Sequence, residues 1–506
     1  MTGRRGVAFG AATGVTVVAL ALLLPSTSGV GLPMDEGAVV AYASEVLDGA
    51  VPHRDFLTFY GPGNPWLVAG AFVIAGESVA TERAVGLLYR LVIVLSLFAL
   101  GMRLGGLLAG VLSGVVAAWL MSEEIVWAYA TYGAVAFGLL SLVLASAASQ
   151  RVQGERAHLL LFAAGLAGGA AVLGRFDFAP AVIASAVPLL ALVSWRARAW
   201  WGGGLLVTSV ISGAHLVVVG GARLERLLGD LSAAGRERRY PLPGLDTEPG
   251  LLLVGGVVAA VGFVALGAVL WRRGDRASGP LLVGVGLISC ALVPLTVFRA
   301  DPLHVRPFAL VPLSLLPAVA LLAVGRLSWV GQRGRAAMSL VVAAASVLPL
   351  FYFYDADTKL QRARDLRGIR TAERGFYDDD SAGARHVVER LRTLARPRDR
   401  LFVGMKDLRR AEYGPSFMYF LLRDLEPASY YMELNPGTAN REGSGLAAEL
   451  RRADWLILTT EYDFRRESTE LGPNEPNEVV RDSFCPRFES GGYYLYGRCR
   501  PLVDTP

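Results

Sequence analysis

Met34–Trp66 reads MDEGAVVAYASEVLDGAVPHRDFLTFYGPGNPW. It follows directly on the first apolar run of the chain, residues 8–28, and opens on the acid pair Asp35-Glu36. A helical pattern runs over 35–48, after which Pro52, Gly61, Pro62, Gly63 and Pro65 mark turns. Tyr60 and Trp66 are of the residue types that favour a lipid–water boundary. Thirty polar, turn-marked residues after a membrane anchor, in a chain this apolar, point to the front of an active site. The rest then reads as a membrane frame that holds this loop and a soluble cap that covers it.

Of the 506 residues, 53% are hydrophobic and 18% charged, with a mean hydropathy of +0.43. Ordinary soluble domains carry about 25% charge. Apolar runs long enough for a bilayer core recur to about residue 354, and in lipid such runs must be helices, because every backbone group has to be paired internally. The chain therefore reads as a polytopic α-helical membrane protein of about 11–12 spans. After 8–28 the spans are expected at about 84–102, 105–121, 126–148, 157–173, 178–195, 200–221, 250–271, 280–298, 306–325 and 337–354. The run 64–77 is too short to cross and is read as a re-entrant or interfacial helix within an outer loop at 30–83.

That choice is made by charge. With 64–77 left on one side, Arg103, Arg151, Arg156, Arg196, Arg198, Arg272, Arg273, Arg276, Arg326, Arg333 and Arg335 all fall in cytoplasmic loops, and Arg4 and Arg5 put the N-terminus there too. The excess of Lys and Arg over acids, 49 against 44, is spent at span ends, which excludes a nucleic-acid partner. The opposite face then collects Asp35, Glu36, His53, Arg54, Asp55, Glu123, Glu124, Arg175, Asp177, Arg299, Asp301, His304 and Arg306.

Each of these groups has two readings. Asp35 and Glu36 are either a partly desolvated base or acids that favour the start of a helix. His53-Arg54-Asp55 with Tyr60 and Asn64 either shapes a groove or forms a plain turn. Glu123-Glu124 either binds a cation or a sugar hydroxyl or marks the membrane boundary. Arg175-Phe176-Asp177 and Arg299-Ala300-Asp301-Pro302-Leu303-His304-Val305-Arg306 either clamp a phosphate or close the helix bundle with ion pairs. Four ionisable groups in the second of these favour the phosphate. Residues 222–249 read as an outer connector or a mobile lid.

From Asp355 the composition turns polar, so the chain divides into 1–354 and an extracytoplasmic α/β domain at 355–506. Helices are expected at 382–396 and 444–452, and strands at 400–404, 454–460 and 493–498. Cys485 and Cys499 lie close together there, and a bridge between them requires an oxidising compartment.

The first loop resembles that of the membrane-embedded GT-C glycosyltransferases. Asp35-Glu36-Gly37, Leu47-Asp48-Gly49, Pro52-His53-Arg54-Asp55-Phe56 and Tyr60-Gly61-Pro62-Gly63-Asn64 look like the branch of protein O-mannosyltransferases and aminoarabinose transferases, family 39-like, although Gly61-Pro62 stands where Pro-Pro is common. The resemblance implies an inverting transfer of a sugar, hexosyl or pentosyl, from a polyprenyl-phosphate donor to the hydroxyl of a glycan, lipid or protein acceptor. It implies Asp35 as the base, with Glu36 second, and Arg299, His304, Arg306 and Arg175 at the donor phosphate. His53, Arg54, Asp55, Tyr60, Asn64, Glu123, Glu124, Asp177 and Asp301 would line the substrate groove. No cofactor is expected beyond a possible divalent cation, and the setting is the plasma (inner) membrane with its lipids. Two other classes compete: a transporter or flippase of a lipid-linked sugar, which calls for charges at mid-membrane, and a non-catalytic cell-envelope glycan assembly protein, which would tolerate loss of Asp35.

Overall fold

The computed structural model describes residues 2–29, 31–150, 154–237, 242–298, 300–352, 382–411, 413–462 and 470–499. Among them, eight helices are long and apolar enough to cross a membrane. They are α1 (Thr2–Leu23), α4 (Val79–Ser122), α5 (Ala130–Ser149), α6 (Glu155–Gly174), α8 (Trp195–Val219), α10 (Glu248–Arg272), α11 (Ser278–Phe298) and α12 (Pro302–Gly325). The chain is a multi-pass membrane protein.

The two spans expected at 84–102 and 105–121 are the arms of the 44-residue α4, which reverses at Gly106. Gly106 has φ +85, a left-handed conformation that a side chain resists. The arms lie against each other: a Cβ on Gly110 would meet the Phe98 carbonyl oxygen at 2.8 Å. The span expected at 178–195 shrinks to α7 (Ala179–Leu190), and that at 337–354 falls in α13 (Gln332–Tyr352). Two shorter helices precede α4: α2 (Asp35–Leu47) and α3 (Gly63–Ala75), the latter 13 residues and too short to cross a bilayer core.

The chain divides into two compact units. One contains the described parts of 1–28, 83–214 and 240–366, the other those of 29–82, 215–239 and 367–506. The first loop therefore belongs with the tail, not with the membrane helices as a cut at residue 354 would have it. The reason is a shared core.

The tail is built on a five-stranded sheet, β1 (Arg400–Met405), β2 (Glu426–Pro427), β3 (Trp455–Thr459), β4 (Phe484–Ser490) and β5 (Tyr493–Arg498), in the order β2-β1-β3-β5-β4. The β1, β2 and β3 strands are parallel, while β5 runs antiparallel to β3 and β4. Helices α14 (Ala382–Leu394), α15 (Phe417–Leu421), α16 (Leu446–Leu450) and α17 (Glu475–Ser483) complete it. The expected strands 400–404, 454–460 and 493–498 are β1, β3 and β5. Leu57 of the first loop and Leu227 are buried in one cluster with Phe402, Leu446, Leu456 and Phe484.

Leu227 lies on α9 (Gly221–Glu237), which occupies the stretch read from sequence as a connector or lid. It is a strut. Arg226 donates to Glu449 at 2.9 Å and to the Ser444 carbonyl at 2.7 Å, and Arg441 pairs with the buried Asp230 at 2.8 Å. Residues 238–240 of its charged run lie outside the described residues.

His53 pins the first loop from within. Its φ of +66 turns the chain. Nδ1 meets His215 Nε2 at 3.0 Å and Nε2 meets the Tyr60 carbonyl at 2.9 Å, while Trp66 stands edge-on to His215. Burial lowers its pKa to about 4.

Two predictions follow from this packing. The Cys485–Cys499 disulfide closes a 14-residue separation between β4 and the end of β5. Replacing both cysteines by serine should cost the tail about 3 kcal/mol, read as a lower melting temperature of the full chain in detergent. His53 stays neutral in the folded chain below the pH at which an unfolded imidazole gains its proton. Stability should therefore fall as pH drops from about 6.5 towards 4, by about 3 kcal/mol in all from this residue. His53→Gln should flatten that part of the pH–stability curve, and an unchanged slope would show the load to lie elsewhere.

Candidate active site

The acid pair of the first loop occupies the first turn of α2, where Met34 is the N-cap. Both carboxylates are thus near the positive end of the helix dipole, but their settings differ. Glu36 is fully buried and accepts the Leu32 backbone N–H at 3.1 Å. Asp35, one position earlier, keeps partial exposure. Of the two, Asp35 is the more exposed.

Gly37 explains why glycine follows the pair. A Cβ there would lie 2.5 Å from the Phe417 nitrogen. The contact is reinforced by Phe417 N–H donating to the Pro33 carbonyl at 3.0 Å, and by Gly414 N approaching Met34 Sδ at 3.4 Å. The segment carrying Asp35 is therefore held by the start of α15.

The other expected groove residues of this loop are mostly tied into it. Arg54 forks onto Asp55, which also accepts the Val51 N–H at 2.7 Å, and both side chains are exposed. Desolvation pushes the Asp55 carboxyl up, but the Arg54 guanidinium and that N–H together outweigh it and hold the carboxyl below its ordinary range. Tyr60 offers its carbonyl to His53. Asn64 is buried in the first turn of α3.

In the membrane unit, Glu123 and Glu124 follow α4 directly. Glu124 is buried. It accepts Tyr132 Oη at 3.0 Å and Arg306 Nη1 at 3.3 Å. Burial raises its pKa against the opposing pull of Arg306 and Arg90. Arg306 in turn forks onto Glu248 at 2.8 Å, so one guanidinium joins two carboxylates. Arg90 lies 4.3 Å from the centre of the Tyr132 ring and donates to the carbonyls of Trp127 and Ile125 at 2.9 and 3.2 Å. This fixes the turn that bears the acid pair.

Glu123, Glu248 and Arg306 stand at the edge of a cavity of about 540 Å³ whose remaining wall is Trp119, Leu120, Leu251, Leu252, Ala309 and Leu310. An apolar cavity with one guanidinium at its rim suits an amphiphile with an anionic head.

Arg175 and His304, far apart in sequence, line a second, smaller cavity together with Thr131, Thr296 and Phe308. Arg175 bonds Thr131 and pairs with Asp177 at 2.6 Å. Asp301 caps α12 through the His304 N–H at 3.2 Å and holds His304 Nδ1 at 2.8 Å. The two Arg–Asp and His–Asp pairs are thus local, and His304 presents its ring edge-on to Tyr129. Arg299 lies outside the described residues.

Sequence reading missed Glu248, Tyr132 and Arg90. Glu248 reads as the end of a loop, and its partner is 58 positions away. Arg90 did carry a signal, an arginine inside an apolar run. Among the described residues, no group of three or more His, Cys, Asp or Glu is placed to hold a metal ion. No step below is routed through a metal ion.

No family model matches the sequence, and no curated protein matches it. Solved structures do. ArnT from Cupriavidus metallidurans bound to undecaprenyl phosphate matches with a TM-score of 0.53 and 15% identity over 100% of both chains. The same protein in the apo state gives 0.54 and 15% over 98% of each. The Archaeoglobus fulgidus oligosaccharyltransferase tethered with an acceptor peptide gives 0.50 and 12% over 98% of this chain and 75% of that one. At such identities the likeness is one of fold alone: the chain is similar in fold to these membrane proteins, in line with the fold class expected from its apolar runs.

Proposed function

We propose that this chain is an inverting glycosyltransferase that moves a sugar from a polyprenyl-phosphate donor to an acceptor hydroxyl at the outer face of the membrane. The observation that carries the reading is the apolar cavity of about 540 Å³ with Arg306 at its rim, in a chain whose fold extends over the full length of a protein seen with undecaprenyl phosphate. The prenyl chain would lie along Leu251, Leu252 and Leu310, and the phosphate would take the guanidinium of Arg306. Arg175 and His304 supply a second set of phosphate donors.

Asp35 acts as the base. Its carboxylate takes the proton of the acceptor hydroxyl as that oxygen attacks the anomeric carbon on the face opposite the phosphate. The carbon–oxygen bond to phosphate breaks with its electron pair left on the phosphate, so the configuration inverts. Arginine stabilises the charge that develops on the leaving group. The Cys485–Cys499 bridge supports an oxidising, extracytoplasmic setting for the tail, with the N-terminus cytoplasmic and the plasma (inner) membrane as host. The acceptor class is a glycan, a lipid or a protein.

The test is release of polyprenyl phosphate from radiolabelled lipid-linked sugars by the full chain in membranes. Asp35→Asn should lower turnover about 10²–10⁴-fold while donor binding is kept, whereas Glu36→Gln should act through stability. Arg306→Gln should raise the KM for donor about tenfold or more, as expected for a lost charge-assisted bond. Full turnover in Asp35→Asn moves the base to another residue. A wild-type chain that turns over no donor but carries lipid between leaflets is a transporter.

A further inference from the structure

A second large cavity lies within the unit formed by the first loop and the tail, and nothing above uses it. It measures about 830 Å³, within the range of small-ligand sites. Glu45 from α2, Asp48 at its C-cap, Asp55 from the following turn, Glu426 of β2 and the nearby Asp424 line it. Against these five carboxylates stand two guanidiniums, Arg398 and Arg423. Arg423 is already engaged by Asp48 at 3.2 Å and by Glu77, and Asp55 by Arg54. Phe56, Leu425 and Met432 supply an apolar floor.

The cavity thus presents surplus negative charge around a space the size of a small oligosaccharide. We infer that it binds an amine-bearing glycan, its ammonium groups facing Glu45 and Glu426 and its hydroxyls meeting the remaining carboxylates and Arg398. Carboxylates and guanidiniums are hydrogen-bonding partners for vicinal hydroxyls, and the apolar floor accepts a sugar face.

Two rival ligands fit less well. A bare metal ion needs carboxylates that converge, and no three do so among the described residues. A basic peptide would add a strand to the sheet edge at this cavity. That edge is β2, only two residues long, and its Pro427 has no N–H to give. Glu45 also behaves as a carboxyl awaiting a cation. Burial, and then the neighbouring Asp48, raise its pKa to about 7 against the pull of Arg423, and Glu426 and Asp55 add to the rise.

Binding here is separable from turnover, so the experiment reads affinity alone. The full chain in lipid nanodiscs is titrated calorimetrically at pH 6.0 with a glucosamine trisaccharide, its fully N-acetylated form, and tetralysine. The amine form should bind, and the N-acetylated form should bind at least about tenfold more weakly, since it keeps the shape and loses the charge. Glu426→Gln, an exposed change, should weaken the amine form by about tenfold with an unchanged melting temperature. Equal binding of both trisaccharides, or binding of neither, overturns the inference. So does tetralysine binding more tightly than the trisaccharide, which would make the site one for basic peptides.

Discussion

The backbone of α2 touches the backbone of α15 because Gly37 has no Cβ. Much of the loop–tail unit depends on that approach. With Phe417 N–H bonded to the Pro33 carbonyl, the first turn of α2 has one position, and Asp35 and Glu36 are sorted by it into an accessible and a buried carboxylate. Leu57, farther along the loop, enters the same core as the strands of the tail. The loop is therefore a component of a folded domain, and its acids are as well placed as residues on a sheet. Any side chain larger than hydrogen at residue 37 would have to move one helix away from the other.

The membrane unit solves a different problem. Charged groups at the ends of spans lose much of their hydration, and an unpaired one is costly. Arg306 meets this by joining Glu124 and Glu248, one buried and one open to solvent. The buried partner accepts a single bond at 3.3 Å, while the exposed partner accepts the fork at 2.8 and 3.1 Å, where water screens the pair. Arg90 does the complementary work below, filling the carbonyls of the Ile125–Trp127 turn so that Glu124 does not drift.

The parts of this architecture that were legible in the sequence are those that depend on local pattern. Apolar runs announced the helices, although the reversal at Gly106 fell inside the run expected at 105–121 and was not singled out. RLFVG and DWLILTT announced β1 and β3, since apolar β-branched and aromatic residues bounded by charge suit a buried strand. The stretch FCPRFES did not announce β4, because it is an edge strand with a bulge near Pro486 and half its residues face water. The α9 strut was hidden by its charges, although Leu224, Leu227 and Leu231 recur on one face. In the candidate site, Asp35, Glu124, Arg175, His304 and Arg306 could be named from residue type and membrane side. Their pairings could not. Which arginine meets which acid is set by helix packing over tens of residues, and no spacing rule reaches that far.

The contact between Met34 and Gly414 spans a sequence separation of 380. Contacts that distant are made late, after the intervening chain has been synthesised and its helices inserted. The segment that carries Asp35 leaves the ribosome some 380 residues before the partner that holds it. Until then Leu57 and the apolar face of α2 lack the core they are built to join. The order of assembly thus acts as a form of quality control: the carboxylate proposed as the base is brought to its position only in a chain that has been made, threaded and folded as far as the sheet domain.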